Sequence, residues 1–335
     1  MFDVAVVGAT GAVGTTMLRV LEERGFPVRE LRPLASARSA GKTIDYLGKP
    51  FTVQELTEDS FEGIQIALFS AGGSRSRDFA PAAVEAGAVV VDNSSYFRMF
   101  PDVPLVVPEV NEDAIQAHKG IIANPNCVAA PLVVALKPIA DAVGLERVIV
   151  SSYQAVSGTG AAAIEELRAQ AAGFLAGDEP EPSVYPHPIA FNALPHIGPF
   201  EDTGYSDEET KVINETKKML GMPDLAVSAT CVRVPVLNGH SESIQIETRD
   251  KITAQQAREL LMAAPGVVLM DEPDQKVYPL PRLASGRDEV LVGRIREDLS
   301  HPRGLALWLS SDNLRKGAAT NAVQIAESLV TKGWL

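Results

Sequence analysis

Along the first third of the chain, short and nearly unbroken apolar runs alternate with longer stretches of helical spacing. Phe2 to Val7, Ile64 to Phe69 and Ala88 to Asp92 are runs of the first kind, and a further strand is expected near Val28 to Leu34. Runs of this length without a polar face predict strands covered on both sides. Thr15 to Arg24 carries apolar residues on one helical face, and a second helix is expected from about Ser74 to Ala86. Strand and helix in alternation predict βαβ units and a parallel sheet.

The pattern changes in the second half. Leu145 to Tyr153 and Val227 to Val234 read as strands, and His240 opens a further strand expected to pair with the latter. Tyr205 to Lys211 opens a helix in which Ser206 and Glu209 form a capping box. From Asp178 to Gly204 the chain is rich in Pro and Gly and lacks periodicity, which predicts a long excursion serving as a lid or a subunit contact. The tail from Ser311 is expected to be one long helix that packs back on the N-terminal part.

With 335 residues there is chain enough for two cores. The division expected is residues 1–126 together with 311–335 as one domain and 127–310 as the other. Apolar residues make up 46% and charged residues 22%, and no apolar run approaches the ~20 residues of a membrane helix. The N-terminus enters a strand directly, without the basic and cleavable segments of a secretory signal. Two cysteines cannot make a disulfide framework, so a reducing, cytoplasmic setting is expected. A net charge of −13 argues against nucleic acid and anionic membranes as partners, while local arginines can still hold small anions.

Candidate chemistry begins at Gly8-Ala-Thr10-Gly11-Ala12-Val13-Gly14, a glycine loop between a strand and a helix. There the backbone can approach a pyrophosphate and the helix N-terminus favours its charge, although the same glycines could form a turn without a ligand. The next strand ends in Ser36, Arg38 and Ser39 with no acidic residue, which favours NADP over NAD because a guanidinium suits a 2′-phosphate; the alternative is a solvated basic loop. The strand ends at Ser70, Gly72 and Asp92 to Ser95 should face the same cofactor.

Cys127 follows an Asn-Pro-Asn turn and is expected in the first turn of a helix, where the helix dipole favours a nucleophilic thiolate. A lone cysteine is more often a small buried hydrophobe. Gln154 beside a glycine-rich bend (Ser157, Gly158) either orients a carbonyl or is a solvated amide. Glu208 and Lys211 share a helix face, as a surface ion pair would. Arg233, on the same strand face as Cys231, needs an anion if buried. His240 follows a glycine turn and can exchange protons near neutral pH, though such a residue is more often structural.

Taken in order, Gly8 to Gly14, Asn124-Pro-Asn-Cys127, Tyr153 to Gly158, Arg233-Val-Pro-Val, Gly239-His-Ser-Glu242 and Asn313-Leu-Arg-Lys-Gly-Ala-Ala resemble the bacterial aspartate-β-semialdehyde dehydrogenases over nearly the whole chain. The resemblance implies a Rossmann-like NADP(H)-binding domain, an α+β catalytic and dimerisation domain, and a homodimer or tetramer. It implies NADPH-dependent conversion of L-aspartyl-4-phosphate to L-aspartate-4-semialdehyde and phosphate, in the biosynthesis of lysine, threonine, methionine and isoleucine.

By the same resemblance Cys127 is the nucleophile, His240 the acid/base group and Gln154 the residue orienting the acyl intermediate. Arg233 holds the substrate carboxylate, Glu208 lies near its amino group, and Arg98, Asn126 and Lys211 form the phosphate site. The cofactor set comprises Gly8, Thr10, Gly11, Ala12, Val13, Ser36, Arg38, Ser39, Ser70, Gly72, Ser157, Gly158 and Asn313. Two departures stand out: Val128-Ala129 replaces Ser or Thr after the cysteine, and Tyr96-Phe97 precedes Arg98. The competing readings are an N-acetyl-glutamyl-phosphate reductase-like enzyme, an NADP reductase without covalent catalysis, and a non-catalytic dinucleotide-binding paralogue.

Overall fold

The computed structural model describes all 335 residues, which fall into two compact units, Met1–Asn126 with Ala318–Leu335, and Cys127–Gly317. The first unit runs β1 (Phe2–Val7), α1 (Ala12–Glu23), β2 (Val28–Ala35), β3 (Thr43–Tyr46), β4 (Lys49–Thr52), β5 (Gln54–Glu55), β6 (Ile66–Phe69), α2 (Gly73–Glu85), β7 (Val89–Asp92), the short α3 (Pro108–Asn111) and β8 (Ile121–Ala123). Six of these strands form one parallel sheet in the order β5-β2-β1-β6-β7-β8, and β3 and β4 make a separate antiparallel hairpin.

The apolar runs lie in the sheet for the reason their composition predicts. Val4 to Val7 and Ile66 to Phe69 have essentially no exposed surface, because helices cover both faces. The sheet order reverses beside β1, whose neighbours are β2 and β6. In an open parallel sheet such a reversal opens a crevice at the strand C-termini, and the glycine loop that follows β1 lies there.

In the second unit α4 (Ala129–Val143) leads to β9 (Leu145–Gln154), α5 (Ala161–Ala176), α6 (Asp207–Leu220), β10 (Ala226–Arg233), β11 (His240–Thr248), α7 (Ala254–Ala263), β12 (Val267–Leu269), α8 (Pro281–Ala284), β13 (Val290–Glu297) and β14 (Gly304–Ser311). Its sheet is mixed, in the order β10-β9-β11-β14-β13-β12. Helices α4, α6 and α7 pack against it. Burial alternates along β11, so His240, Glu242, Ile244 and Ile246 point inward while Ser243 and Gln245 face outward. On that outward face Tyr153, 37% exposed, packs on Trp308 with ring centroids 5.2 Å apart.

Three expectations need correction. Strand β11 does not pair with β10; β9 lies between them, parallel to β10 and antiparallel to β11. The tail is not one helix from Ser311: that residue ends β14, a π-helical turn spans Arg315–Ala319, and α9 occupies Thr320–Lys332. Residues 311–317 consequently pack with the second unit, because Ser310 and Ser311 are paired to β11. The capping box of α6 forms as read, with Ser206 N–H donating to Glu209 and Glu209 N–H to the Ser206 hydroxyl.

Glu242 is buried with neither carboxylate oxygen hydrogen-bonded, and burial alone holds its carboxyl well above the usual range. The folded protein therefore keeps a proton that the unfolded chain releases above about pH 4.5. This residue's contribution to stability falls as pH rises through the folded pKa. Glu242→Gln should match wild type in urea midpoint at about pH 5 and exceed it at about pH 8. Identical pH slopes for the two proteins would refute a buried neutral acid.

Candidate active site

Cys127 sits just outside α4 rather than in its first turn. Val128 is the N-cap, and its carbonyl accepts the first intrahelical bond from Leu132 N–H at 3.2 Å. Valine has no side-chain oxygen with which to cap, so α4 carries no side-chain cap at the end beside Cys127, which is the positive end of its dipole. The two cysteines are chemically distinct. Cys231 is buried, and desolvation pushes its thiol far up, whereas Cys127 is partly exposed.

His240 opens β11 and is completely buried. Its Nε2 lies 3.4 Å from Cys127 Sγ. Its Nδ1 lies 3.0 Å from the backbone N–H of Ala155, which can only donate. Nδ1 is therefore the acceptor, and the neutral ring carries its proton on Nε2, facing the sulfur. Burial first and the Arg233 charge second hold the imidazole well below its ordinary pKa. The site accordingly holds a neutral imidazole that donates toward sulfur.

The turn before His240 is held by two residues expected at the cofactor, Asn313 and Ser157. Asn313 Oδ1 accepts from Gly239 N–H at 2.9 Å, and its amide donates to Ser157 Oγ at 2.9 Å. The Ser157 hydroxyl donates onward to Asn238 Oδ1 at 2.9 Å. Gly239 has φ +89°, and a Cβ there would lie 2.6 Å from the Pro281 carbonyl oxygen. Gly158 leaves the reacting corner open, since its Cβ would stand 3.2 Å from Arg233 Nη1 and 3.5 Å from His240 Nε2.

Gly317 lies close against the backbone of Cys127. A Cβ on Gly317 would fall 2.9 Å from Cys127 Cβ and 3.1 Å from its Cα. Backbone cannot yield as a side-chain tip would, so an added methyl must displace Cys127. A shift of about 1 Å in a reacting atom can cost about 100-fold. Gly317→Ala should therefore lower kcat by about that factor while the KM values hold, in steady-state assays. Unchanged kcat would show that the nucleophile tolerates the shift.

Gln154 and Arg233 end the adjacent strands β9 and β10, in register with each other. Gln154 is buried rather than solvated, and its Nε2 reaches Ser152 Oγ at 3.2 Å and Glu208 Oε1 at 3.3 Å. Lys211 pairs with Asp207 one turn back, so the anticipated Glu208–Lys211 face is divided between two partners. Arg233 is 6% exposed, donates through Nη1 to the Ala155 carbonyl at 2.8 Å, and has no carboxylate within ion-pair distance. Its Nε is buried without a hydrogen-bond partner. A buried guanidinium in that condition is costly unless an anion completes it.

In the first unit Arg98 is buried on the segment after β7, with Nε donating to the Asn124 carbonyl at 2.8 Å and Nη2 to that of Asn93 at 2.9 Å. Asn124 and Asn321 brace the strand end that leads to the buried Asn126. The sequence marks Asn124 only as part of the turn before Cys127, and Asn321 and Ser152 not at all, because nothing local marks a buried amide or hydroxyl as a brace.

The glycine loop fits a dinucleotide. A Cβ at Gly14 would lie 2.1 Å from the Gly8 carbonyl oxygen, so only glycine allows the tight turn into α1. Gly8 has φ +86° and its Cβ would meet the Ser70 carbonyl oxygen at 2.8 Å. Thr10 and Gly11 are exposed at this edge, with Ala12 and Val13 half-buried behind them. Ser36 and Arg38 are exposed after β2, Ser39 is buried beside them, and Gly72 precedes α2 with φ +87°.

A parallel sheet with a glycine crevice, joined in one chain to a unit holding a cysteine–histidine pair beside a buried arginine, has the features of a nicotinamide-dependent dehydrogenase. Models of the semialdehyde dehydrogenase NAD binding domain and dimerisation domain match residues 3–118 and 136–316. An aspartate-semialdehyde dehydrogenase from Aquifex aeolicus is 57% identical, with 99% of each chain covered. Aspartate semialdehyde dehydrogenase II from Vibrio cholerae, solved in complex with ASA, superposes with a TM-score of 0.96 at 52% identity, covering 99% of this chain and 98% of that one. The enzyme from Candida albicans, solved with NADP, gives a TM-score of 0.79 at 27% identity over 100% of both chains. The chain belongs to the aspartate-semialdehyde dehydrogenase family. No helix of the structure is long and apolar enough to cross a membrane.

Proposed function

We propose that this protein catalyses the NADPH-dependent reductive dephosphorylation of L-aspartyl-4-phosphate to L-aspartate-4-semialdehyde. The observation that carries the reading is Cys127 Sγ, 3.4 Å from a histidine nitrogen that bears its proton, next to a buried arginine lacking an anion. Cys127 thiolate attacks the acyl carbon, and the carbon–oxygen bond to phosphate breaks, leaving a thioester. NADPH, when bound, supplies the hydride that reduces this thioester. The resulting alkoxide collapses to the aldehyde and expels the thiolate.

Written from thiolate to thiolate, neither half-reaction consumes a proton on the chain. His240 therefore serves best as a fixed Nε2–H donor, first to the thiolate and then to the developing oxyanion, instead of as a base. That refines the acid/base role implied by the resemblance, and the support for it is the Ala155 N–H on Nδ1. Arg233 takes the substrate carboxylate, Glu208 the amino group, and Gln154 orients the acyl group. Arg98, Asn126 and Lys211 receive phosphate. NADP is favoured over NAD because no acid ends β2 while Arg38 stands there exposed. A second copy of the chain is expected as a partner, because residues 136–316 match a dimerisation domain.

The test is NADP⁺ reduction by L-aspartate-4-semialdehyde with and without phosphate, run beside NAD⁺ and beside N-acetyl-glutamate semialdehyde. Phosphate-dependent turnover of the aspartyl substrate is expected. Turnover only of the acylated substrate would favour the reductase alternative, and turnover indifferent to phosphate would remove the acyl-phosphate chemistry.

A further inference from the structure

The Pro-rich excursion is built into the substrate corner. Glu166 of α5 accepts hydrogen bonds from Ser183 N–H at 3.2 Å, from the Ser183 hydroxyl at 2.9 Å and from Val184 N–H. Gln170, one turn on, accepts from Ile189 N–H at 2.8 Å and Ala190 N–H at 3.2 Å. Further along, Leu194 exchanges both backbone hydrogen bonds with Arg233, at 2.8 and 2.9 Å. Both anchoring side chains are buried, so the excursion is fastened at both ends instead of hanging free.

Between these anchors stands Tyr185. Its ring packs on the apolar cluster of Val156, Ala163, Leu167 and Ile189. Its hydroxyl donates to Thr159 Oγ1 at 2.9 Å, on the bend after Gln154. The Arg233 guanidinium carbon lies 5.9 Å from the ring centroid. An aromatic face attracts a guanidinium without accepting in the plane of its N–H groups. It can therefore hold Arg233 and shield it from water while the orphaned Nε stays available to a carboxylate.

From this geometry we infer that Tyr185 is a positioning residue for substrate binding: it fixes Arg233 from one face and is itself set in place by Glu166 and Thr159. The inference rests on the assignment of Arg233 to the substrate carboxylate. It turns the excursion from a lid or a subunit contact into a wall of the substrate site. Burial also raises the phenol's pKa, so Tyr185 remains the hydrogen-bond donor to Thr159 at neutral pH.

The test is steady-state kinetics of Tyr185→Leu, Tyr185→Phe and Glu166→Gln in the full-length enzyme, with each substrate varied in turn. Tyr185→Leu should raise KM for aspartate semialdehyde about tenfold, the scale of a desolvated cation–aromatic contact, with kcat within about twofold. KM for phosphate and for NADP⁺ should not move. Tyr185→Phe keeps the aromatic face and should stay within about threefold of wild type. Glu166→Gln loses acceptor capacity at the anchor and should shift the same KM in the same direction, by less. An unchanged KM in Tyr185→Leu would overturn the inference, as would a loss in Tyr185→Phe equal to that in Tyr185→Leu. A parallel change in every parameter would show a structural role only and would also overturn it. Arg233→Leu in the same assay separates the two levels. If it weakens aspartate semialdehyde and Tyr185→Leu does not, the inference fails alone; if it does not, the assignment of Arg233 fails and takes the inference with it.

Discussion

Cys127→Ala should abolish phosphate-dependent NADP⁺ reduction, with a loss of about 10⁴-fold or more in kcat. The sulfur is the only group placed to form the covalent intermediate, since the second cysteine is buried and its thiol is held protonated by desolvation. Alanine keeps the Cβ that Gly317 packs against, so the corner retains its shape. His240 keeps its Ala155 hydrogen bond and hence its orientation. The thermal midpoint and NADP⁺ binding should accordingly stay near wild type while turnover disappears. Stopped-flow absorbance at the reduced-nicotinamide band reads the first turnover directly, and the variant should show no burst. Residual turnover of even a few per cent would rule out an obligatory thioester and leave a dinucleotide-binding reductase without covalent catalysis.

Arg233→Leu should lower kcat/KM for aspartate semialdehyde by about 10³-fold, most of it through KM. A substrate carboxylate entering this corner loses water, and without the guanidinium nothing of opposite charge replaces it. The buried Nε with no partner marks the direction from which that carboxylate is expected. A second effect follows at His240, where Arg233 is the lesser cause of the depressed pKa after burial. Removing the positive charge makes the imidazolium less unfavourable, so the folded pKa rises toward its ordinary value. Protonation would then place a hydrogen on Nδ1 against the Ala155 N–H. The acid limb of the pH–rate profile should move to higher pH in the variant, because a smaller drop in pH already disrupts the donor geometry. An acid limb that stays in place, with kcat/KM near wild type, would remove Arg233 from the substrate site.

The stability side has a definite sign. In wild type the unfolded chain protonates His240 near pH 6.5 while the folded protein resists, so acidification below about that value binds protons to the unfolded state and costs stability. Glu242 acts in the opposite sense, favouring the folded state at acid pH and opposing it as pH rises. The two buried groups lie on the same strand and face, and together they narrow the range of greatest stability from both sides.

The apolar rhythm of the chain by itself determined the α/β class, the parallel strands of the first unit and the glycine loop after β1. These are local properties: a strand covered on both faces must be apolar throughout, and a turn that admits no Cβ must be glycine. The capping box of α6 was readable for the same reason, since its partners stand three residues apart. The tail escaped such reading. Leu305 to Leu309 and the Gly317-Ala-Ala stretch are both apolar or small, and only pairing to β11 makes the first of them strand. The order of β9 between β10 and β11 likewise depends on strand pairing over long separations, which periodicity does not encode. Cys127 meets His240 across 113 residues, and nothing near either one in sequence names the other. The proton on His240 Nε2, the orphaned Arg233 Nε and the Tyr185 ring against that guanidinium were decided only by tertiary structure. Each is a relation between distant side chains brought together by burial, and burial is what gives these groups their chemistry.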